Sequence, residues 1–186
     1  HCLIDGLSFY FNRMLGVRNR FLRCFSAFSA SSILSSGHKI PNLGFGTWKI
    51  PPEQAGNDVR KALEHGFTHI DCAEIYGNEK AINLADFDLP VPRSELFFTS
   101  KVWLNHYEYD DVRSACYNSI SNLGVNYLDL YLLHWPFALK KGAKAPNDFE
   151  DGISIVDETW KAMESLVHEG TVKTIGVCNF SERQLR

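Results

Sequence analysis

Four side chains in this sequence are of the types that move and steady protons: a carboxylate at Asp71, a phenol at Tyr76, an ammonium at Lys101 and an imidazole at His134. Asp71 and Tyr76 share one stretch, Gly66-Phe67-Thr68-His69-Ile70-Asp71-Cys72-Ala73-Glu74-Ile75-Tyr76-Gly77-Asn78-Glu79, which reads as a helix stop, a short strand and a loop. Along that strand His69 and Asp71 alternate to one face, and a carboxylate turned inward needs a cationic partner. Lys101, at the end of the next strand, is the natural one. Such a pair either only satisfies itself or serves a neighbour. Tyr76 is that neighbour: a cation beside a phenol favours the phenolate and lowers its pKa. A phenol tuned in this way can give its proton to a developing alkoxide as a general acid. The plainer alternative is a tyrosine that only packs.

His134 lies in Leu132-Leu133-His134-Trp135-Pro136 and shares a strand face with Leu128, Leu130 and Leu132. It is either a core histidine bonded to backbone or a neutral ring at a strand end that orients a substrate carbonyl. Trp48, Trp103 and Trp135 follow the first, third and fourth strands of the alternation described next. They either wall a dry pocket or pack the top of the fold.

An alternation of strands and helices must position these groups. Ile33-Leu34 and Lys39-Ile40, joined through Ser35-Ser36-Gly37-His38, read as a small β-hairpin. Strands follow at 43–46, 67–71, 96–101, 127–133 and 172–177. Pro51-Pro52-Glu53 opens the first helix, Ala55, Val59, Ala62 and Leu63 share its buried face, and Gly66 stops it. A short second helix is expected from 78 to 85, and a third capped by Asp110, with Val112, Cys116 and Leu123 inward and Gly124 at its end. A charged loop at 140–152 leads to a helix from 157, with Trp160, Met163 and Leu166 or Val167 inward and Gly170 as its stop. Ser181-x-x-Gln184 is a capping box for one more helix.

Regular βαβα alternation with apolar strands means a parallel sheet covered on both faces. For a dinucleotide-type turn the chain offers only Gly44-x-Gly46 followed by Thr47, Trp48 and Lys49, half a motif that reads equally well as a tight turn. The five strands run into Trp48, Asp71, Lys101, His134 and Asn179 at their C-terminal ends. In a βα barrel such ends converge on one mouth, where active sites lie. The expected fold is therefore α/β: a parallel (β/α)8 TIM barrel, truncated after five βα units, with an N-terminal β-hairpin.

A net charge of −3 gives no electrostatic case for nucleic acid or an acidic membrane surface, and no apolar run reaches the roughly 20 residues of a membrane span. Cys2, Cys24, Cys72, Cys116 and Cys178 are scattered without a Cys-x-x-Cys, which argues against a disulfide framework or a zinc site and suits a reducing compartment. A metal-dependent hydrolase built on His69, Asp71, Lys101 and His134 lacks a further ligand at a strand end, so no metal is expected. Residues 14–36 contain no Asp or Glu but do contain Arg18, Arg20 and Arg23. Residues 1–30 are thus read as a presequence, leader or disordered extension, apart from a domain at 31–186. The expected compartment is the cytoplasm, or the mitochondrion if 14–36 is a presequence.

From Ile33 onward the chain resembles the aldo-keto reductase family. The likeness rests on five ordered stretches. Ile40-Pro41-x-Leu43-Gly44-Phe45-Gly46-Thr47-Trp48 is the first, and Gly66-Phe67-x-His69-Ile70-Asp71-x-Ala73-x-x-Tyr76-x-Asn78-Glu79 the second. Leu96-Phe97-Phe98-Thr99-Ser100-Lys101-Val102-Trp103 and Asp129-Leu130-Tyr131-Leu132-Leu133-His134-Trp135-Pro136 follow. The fifth runs from Met163-Glu164 through Glu169-Gly170 to Ile175-Gly176-Val177-Cys178-Asn179-Phe180.

The resemblance implies hydride transfer from a nicotinamide cofactor to an aldehyde or ketone, giving an alcohol, as in alcohol dehydrogenases or carbonyl reductases of this family. Tyr76 would be the proton donor, Lys101 and Asp71 its tuning pair, and His134 the carbonyl-orienting residue. Asn179 and Cys178 would meet the nicotinamide carboxamide, and Gly46, Thr47, Trp48 and Asp71 would also line the cofactor. Trp48, Trp103, Trp135 and His134 would face a small-molecule carbonyl substrate. NADPH is the cofactor most members use, with NADH the alternative, and the full-length protein is expected to be a monomer. The competing class is a barrel that binds the cofactor without catalysis, as a regulatory or structural subunit; its mark would be loss of Tyr or His, and both are present.

The chain departs from the family pattern at Thr68, where Arg is usual, at Asn83, where Gly is usual, and at Cys178, where Ser is commoner. A thiol is the weaker hydrogen-bond donor. Strands six to eight, the segments for the adenosine 2′-phosphate and the loop that shapes substrate choice are not in the sequence, so it is read as part of a reductase. A sheet of five strands would leave raw edges and an unfilled interior. Residues 31–186 expressed alone are therefore expected to show neither a cooperative urea transition nor NADPH-dependent turnover; a cooperatively folded, active product would overturn this.

Overall fold

Runs such as Phe97-Phe98 and Leu130-Tyr131-Leu132-Leu133 have no polar face to offer water, so both sides of the strands they form must be covered. The computed structural model describes residues 30–86, 88–89, 91–139 and 153–185, with two short strands, β1 (Cys2–Ile4) and β2 (Leu7–Phe9). The loop expected at 140–152 and most of the segment read as a presequence lie outside the described residues.

A hairpin of β3 (Ser31–Ile33) and β4 (Lys39–Pro41) turns through Gly37, whose φ of 81° suits glycine. Then come β5 (Phe45–Gly46), helix α1 (Pro52–Glu64), β6 (His69–Asp71), α2 (Glu79–Ile82), β7 (Phe97–Val102), α3 (Tyr109–Leu123), β8 (Leu130–Leu133), α4 (Ile153–His168), β9 (Ile175–Cys178) and α5 (Glu182–Leu185). Strands β5 to β9 lie side by side in chain order, each parallel to the next. This is the arrangement with which a βα barrel begins. On the outer edge of β9, β1 and β2 add as an antiparallel pair. No helix of the described residues is long and apolar enough to cross a membrane.

The strands divide two cores. On one side Leu34 and Ile40 of the hairpin region meet Phe97, Leu130, Leu132 and Cys178. On the other, Ile70, Phe98, Tyr131 and Leu133 pack on Val59 and Leu63 of α1, Val112 and Leu123 of α3, and Met163 and Leu166 of α4. Each fully buried Ile, Leu or Phe contributes roughly 1.5–3 kcal/mol. Leu166 rather than Val167 is the inward residue of α4. Leu128 joins the helix-side core while Leu130 and Leu132 face the other, because the chain bends at Asp129 before the strand proper begins.

Asp129 ties the N-terminal ends of three strands together. Its carboxylate accepts from Arg93 at 2.8 Å, the Phe98 N–H at 2.9 Å and Lys173 at 3.1 Å. Both cations also lie over the Tyr127 ring, at 4.1 and 4.0 Å from its centroid. A cavity of about 240 Å³ at this end is lined by His38, Lys39, Asp129 and Lys173. It is at the opposite end of the strands from Tyr76.

Two helix boundaries differ from the sequence reading. Asp110 is inside the first turn of α3, whose N-cap is Glu108 without a side-chain bond, and α4 begins at Ile153. The expected helix from 78 to 85 breaks at Asn83, which bonds the Ala85 N–H through its own side chain (3.1 Å) and so competes with the helical ladder. Asn83 also closes over Gly124, the left-handed stop of α3 with φ 64°. A Cβ at Gly124 would fall 2.0 Å from Asn83 Oδ1 and 2.9 Å from Ala85 N. Gly124→Ala is expected to destabilise the full-length protein by about 2 kcal/mol or more, read from the urea midpoint. Adding Asn83→Gly should recover only the part owed to the Asn83 side chain, leaving the cost of the left-handed alanine and of its 2.9 Å approach to Ala85 N.

Candidate active site

A lysine in the middle of apolar strands must hand each ammonium proton to an acceptor. Lys101, 1% exposed, does so with three. Its Nζ donates to Asp71 Oδ1 at 2.7 Å, to the Cys72 carbonyl at 2.8 Å and to Tyr76 Oη at 3.2 Å. The β6–β7 register, with Asp71 opposite Thr99, brings the carboxylate within reach of a residue two further along β7. Removing either partner of such a buried pair costs about 3–5 kcal/mol, because the other charge is left uncompensated.

Tyr76 is carried by a single tight turn, Glu74–Tyr76, closed by Tyr76 N–H to the Ala73 carbonyl (3.0 Å) and by Gly77 in the left-handed region at φ 68°. Asn78 then fastens the turn to the segment after β5: its Nδ2 donates to the carbonyls of Thr47 (2.9 Å) and Ile50 (3.0 Å). Thr47 in turn donates its hydroxyl and its N–H to the Asp71 carbonyl, each at 3.0 Å. Gly46, in register with Asp71, belongs to the same junction.

His134 stands just past β8. Its ring meets Tyr76 edge-on at 5.9 Å and Trp103 at 5.2 Å. Burial, and then the Lys101 charge, push its pKa from 6.5 down to about 3, so the ring is neutral at pH 7. Its Nδ1 is buried without a partner among the described residues, unlike a core histidine bonded to backbone. His69 is the contrast. Nε2 pairs with Thr99 Oγ1 at 3.0 Å, Nδ1 lies 3.4 Å from the Pro41 carbonyl, and burial lowers its pKa to about 4. Among the described residues no three His, Cys, Asp or Glu side chains converge as metal ligands would.

After β9, Asn179 adopts φ 63°, and its Nδ2 donates to the His134 carbonyl (2.9 Å) and to Cys178 Sγ (3.4 Å). Asp71, Tyr76, Lys101, His134, Trp103, Cys178 and Asn179 thus gather at one end of the sheet. Trp48 stands further out, 64% exposed, with Lys49 over its ring at 4.4 Å. Trp135 packs on Phe137 and bonds Tyr107 Oη through its backbone.

Two acidic residues of the Tyr76 segment were passed over in the sequence. Glu79 is buried, accepts from Ser100 (2.6 Å) and Ser119 (3.0 Å), and has its pKa raised by burial, so it joins α2 to β7 and α3. The available signal was an acid immediately after Asn78 in a helix with little other polar surface to serve. Glu74 accepts from the Trp103 N–H at 3.1 Å. Chemically, the assembled group offers a phenol fixed by an ammonium beside a neutral imidazole, with an amide and a thiol next to it: a set that can protonate an oxygen and hold a carboxamide.

A sequence model of the Aldo/keto reductase family matches residues 42–186. Aldo-keto reductase family 1 member A1 of Rattus norvegicus is 42% identical over 167 residues, which is 84% of this chain and 51% of the relative. The protein of the same name from Homo sapiens is 43% identical over 82% of the chain and 50% of its own length. The chain thus spans about half the length of these curated relatives. Among solved structures, the aldose reductase of Schistosoma japonicum superposes with a TM-score of 0.75 at 41% identity, covering 84% of this chain and 55% of that one. The aldose reductase of Giardia lamblia gives 0.70 at 39% identity, over 76% of this chain and 50% of that one.

The two depressed histidines have a consequence for stability. The unfolded chain binds their protons from pH 6.5 downward, whereas the fold refuses them until about pH 4 at His69 and about pH 3 at His134. Their contribution is complete above pH 6.5 and is lost as pH falls through this window. The urea midpoint of the full-length protein should therefore drop between pH 6.5 and 4, with a shallower slope in His134→Gln. In NMR titrations both ring signals should hold their neutral positions down to pH 5.

Proposed function

Because the chain belongs to the aldo-keto reductase family, we propose that the protein containing it reduces aldehydes or ketones to alcohols, with Tyr76 as the general acid. Members of the family are oxidoreductases that act on carbonyls with a nicotinamide cofactor, and NADPH is the form we infer here, since most members use it. The observation that carries the reading is the Lys101 ammonium, which gives one proton each to Asp71, Cys72 and Tyr76.

The donor set fits a nicotinamide: the Asn179 amide bonds the His134 carbonyl and lies against the Cys178 sulfur, while His134 Nδ1 is buried without a partner among the described residues. Asn179 and Cys178 would hold its carboxamide, with Gly46, Thr47, Trp48 and Asp71 further along the cofactor. Bound there, the cofactor supplies the hydride. The chain supplies the rest. Lys101 donates to the Tyr76 oxygen, which leaves the phenol proton on the side away from the ammonium. That proton passes to the carbonyl oxygen as negative charge builds on it, and the phenolate left behind is steadied by Lys101. Asp71 keeps the ammonium charged and in place. His134, neutral at working pH, presents an uncharged ring that orients the carbonyl without competing for the proton. Trp103, edge-on to His134, walls the approach.

In the full-length protein Tyr76→Phe is expected to lower kcat for NADPH-dependent aldehyde reduction by at least about 100-fold, while NADPH affinity is unchanged. The check is steady-state NADPH oxidation alongside fluorescence titration of the cofactor. Retained turnover would remove Tyr76 from the role of acid; binding without turnover in the wild type would favour a non-catalytic barrel.

A further inference from the structure

One carboxylate at the mouth is not used by the proton-transfer group. Glu74 begins the turn that carries Tyr76, yet the turn closes through backbone bonds alone, Tyr76 N–H to Ala73 and Gly77 N–H to Glu74, so it does not need the side chain. That side chain crosses instead to the connection after β7. Oε2 accepts the Trp103 N–H at 3.1 Å, and Oε1 lies 2.6 Å from His106 Nδ1. The carboxylate is 27% exposed, so it reaches both partners without the penalty of full burial. Trp103 meets the His134 ring at 5.2 Å, and His134 meets Tyr76 at 5.9 Å. Tyr76 lies two residues from Glu74, which completes a circuit of contacts around the place where a carbonyl would lie.

We propose that Glu74 is a positioning residue that anchors Trp103 against His134 and so fixes the aromatic wall that orients bulky carbonyl substrates. The inference rests on the reductase reading above. Glu74 touches no reacting atom; it acts through Trp103. The carboxylate accepts a backbone N–H, so it fixes the start of the Trp103–His106 segment rather than the tryptophan ring alone. A large aromatic aldehyde would lean on that wall. A short aliphatic aldehyde would not.

The test compares both aldehydes in the full-length protein with NADPH. Glu74→Ala should raise KM for the aromatic aldehyde by about tenfold, with kcat, NADPH affinity and the thermal midpoint close to wild type. For the short aldehyde KM should move by less than about twofold. Glu74→Gln keeps an oxygen for the Trp103 N–H and should stay within about threefold of wild type for both. The inference is overturned if Glu74→Ala matches wild type with the aromatic aldehyde. It is also overturned if both substrates, cofactor affinity and stability fall together in both variants, which would mark a purely structural role. A wild type without carbonyl turnover would instead remove the reductase reading, and this inference with it.

Discussion

The rest of the site depends on keeping an ammonium ion charged where water cannot reach it. Lys101 projects from a strand whose six residues are all buried, and one carboxylate is not enough to satisfy it. An ammonium has three protons, and a buried N–H left unmet costs more than a typical bond returns. The three acceptors, Asp71 Oδ1, the Cys72 carbonyl and Tyr76 Oη, come from the last residue of β6 and the single connection that leaves it. Satisfying Lys101 therefore folds that connection over the end of β7. The phenol is placed by the same requirement.

That requirement sets a distance but not a direction, and the neighbouring contacts supply it. Asn78 binds the connection to the carbonyls of Thr47 and Ile50, and Glu79 joins it to Ser100 and Ser119 on the helix side. At the other end of the strands Asp129 does comparable work with Arg93 and Lys173, far from the phenol. Ends of opposite purpose are expected of βα barrels, whose chemistry sits where strands finish and whose stability is reinforced where they start.

Much of this was legible in the sequence because the signals were local. The apolar strands, the glycine stops at Gly66 and Gly124, and the alternation that turns Asp71 and Lys101 to one side follow from periodicities of two and 3.6 residues. The Ser181-x-x-Gln184 box is also seen, with Gln184 Oε1 accepting from the Ser181 N–H at 3.0 Å and hydroxyl at 2.8 Å. What escaped depended on partners distant in sequence. Asn83 breaks a helix through its side chain, Leu128 changes sides where the chain bends at Asp129, and the left-handed Asn179 bonds the His134 carbonyl. Glu74 and Glu79 carried no periodic signal, since their partners lie on other elements. Thr47, read as a cofactor contact, also donates its hydroxyl to the Asp71 carbonyl, a partner with no local signal in the sequence.

The charge state of His134 follows from the same constraint as the position of Tyr76. Two cations this close in a poorly solvated site would repel each other, so only one group can hold the charge. Lys101 keeps it because Asp71 and two further oxygens are arranged around its ammonium, whereas His134 has no carboxylate among its described contacts and has an unmet Nδ1. The imidazole therefore yields, with its pKa driven to about 3 by burial and by Lys101. One cation, one carboxylate, a neutral ring and a phenol is the distribution that results. In the proposed reaction it leaves Tyr76 as the acidic proton nearest the carbonyl oxygen, because the ammonium is already committed and the imidazole has no charge to give up. In that proposal, giving the role of acid to the phenol follows from how the lysine is buried.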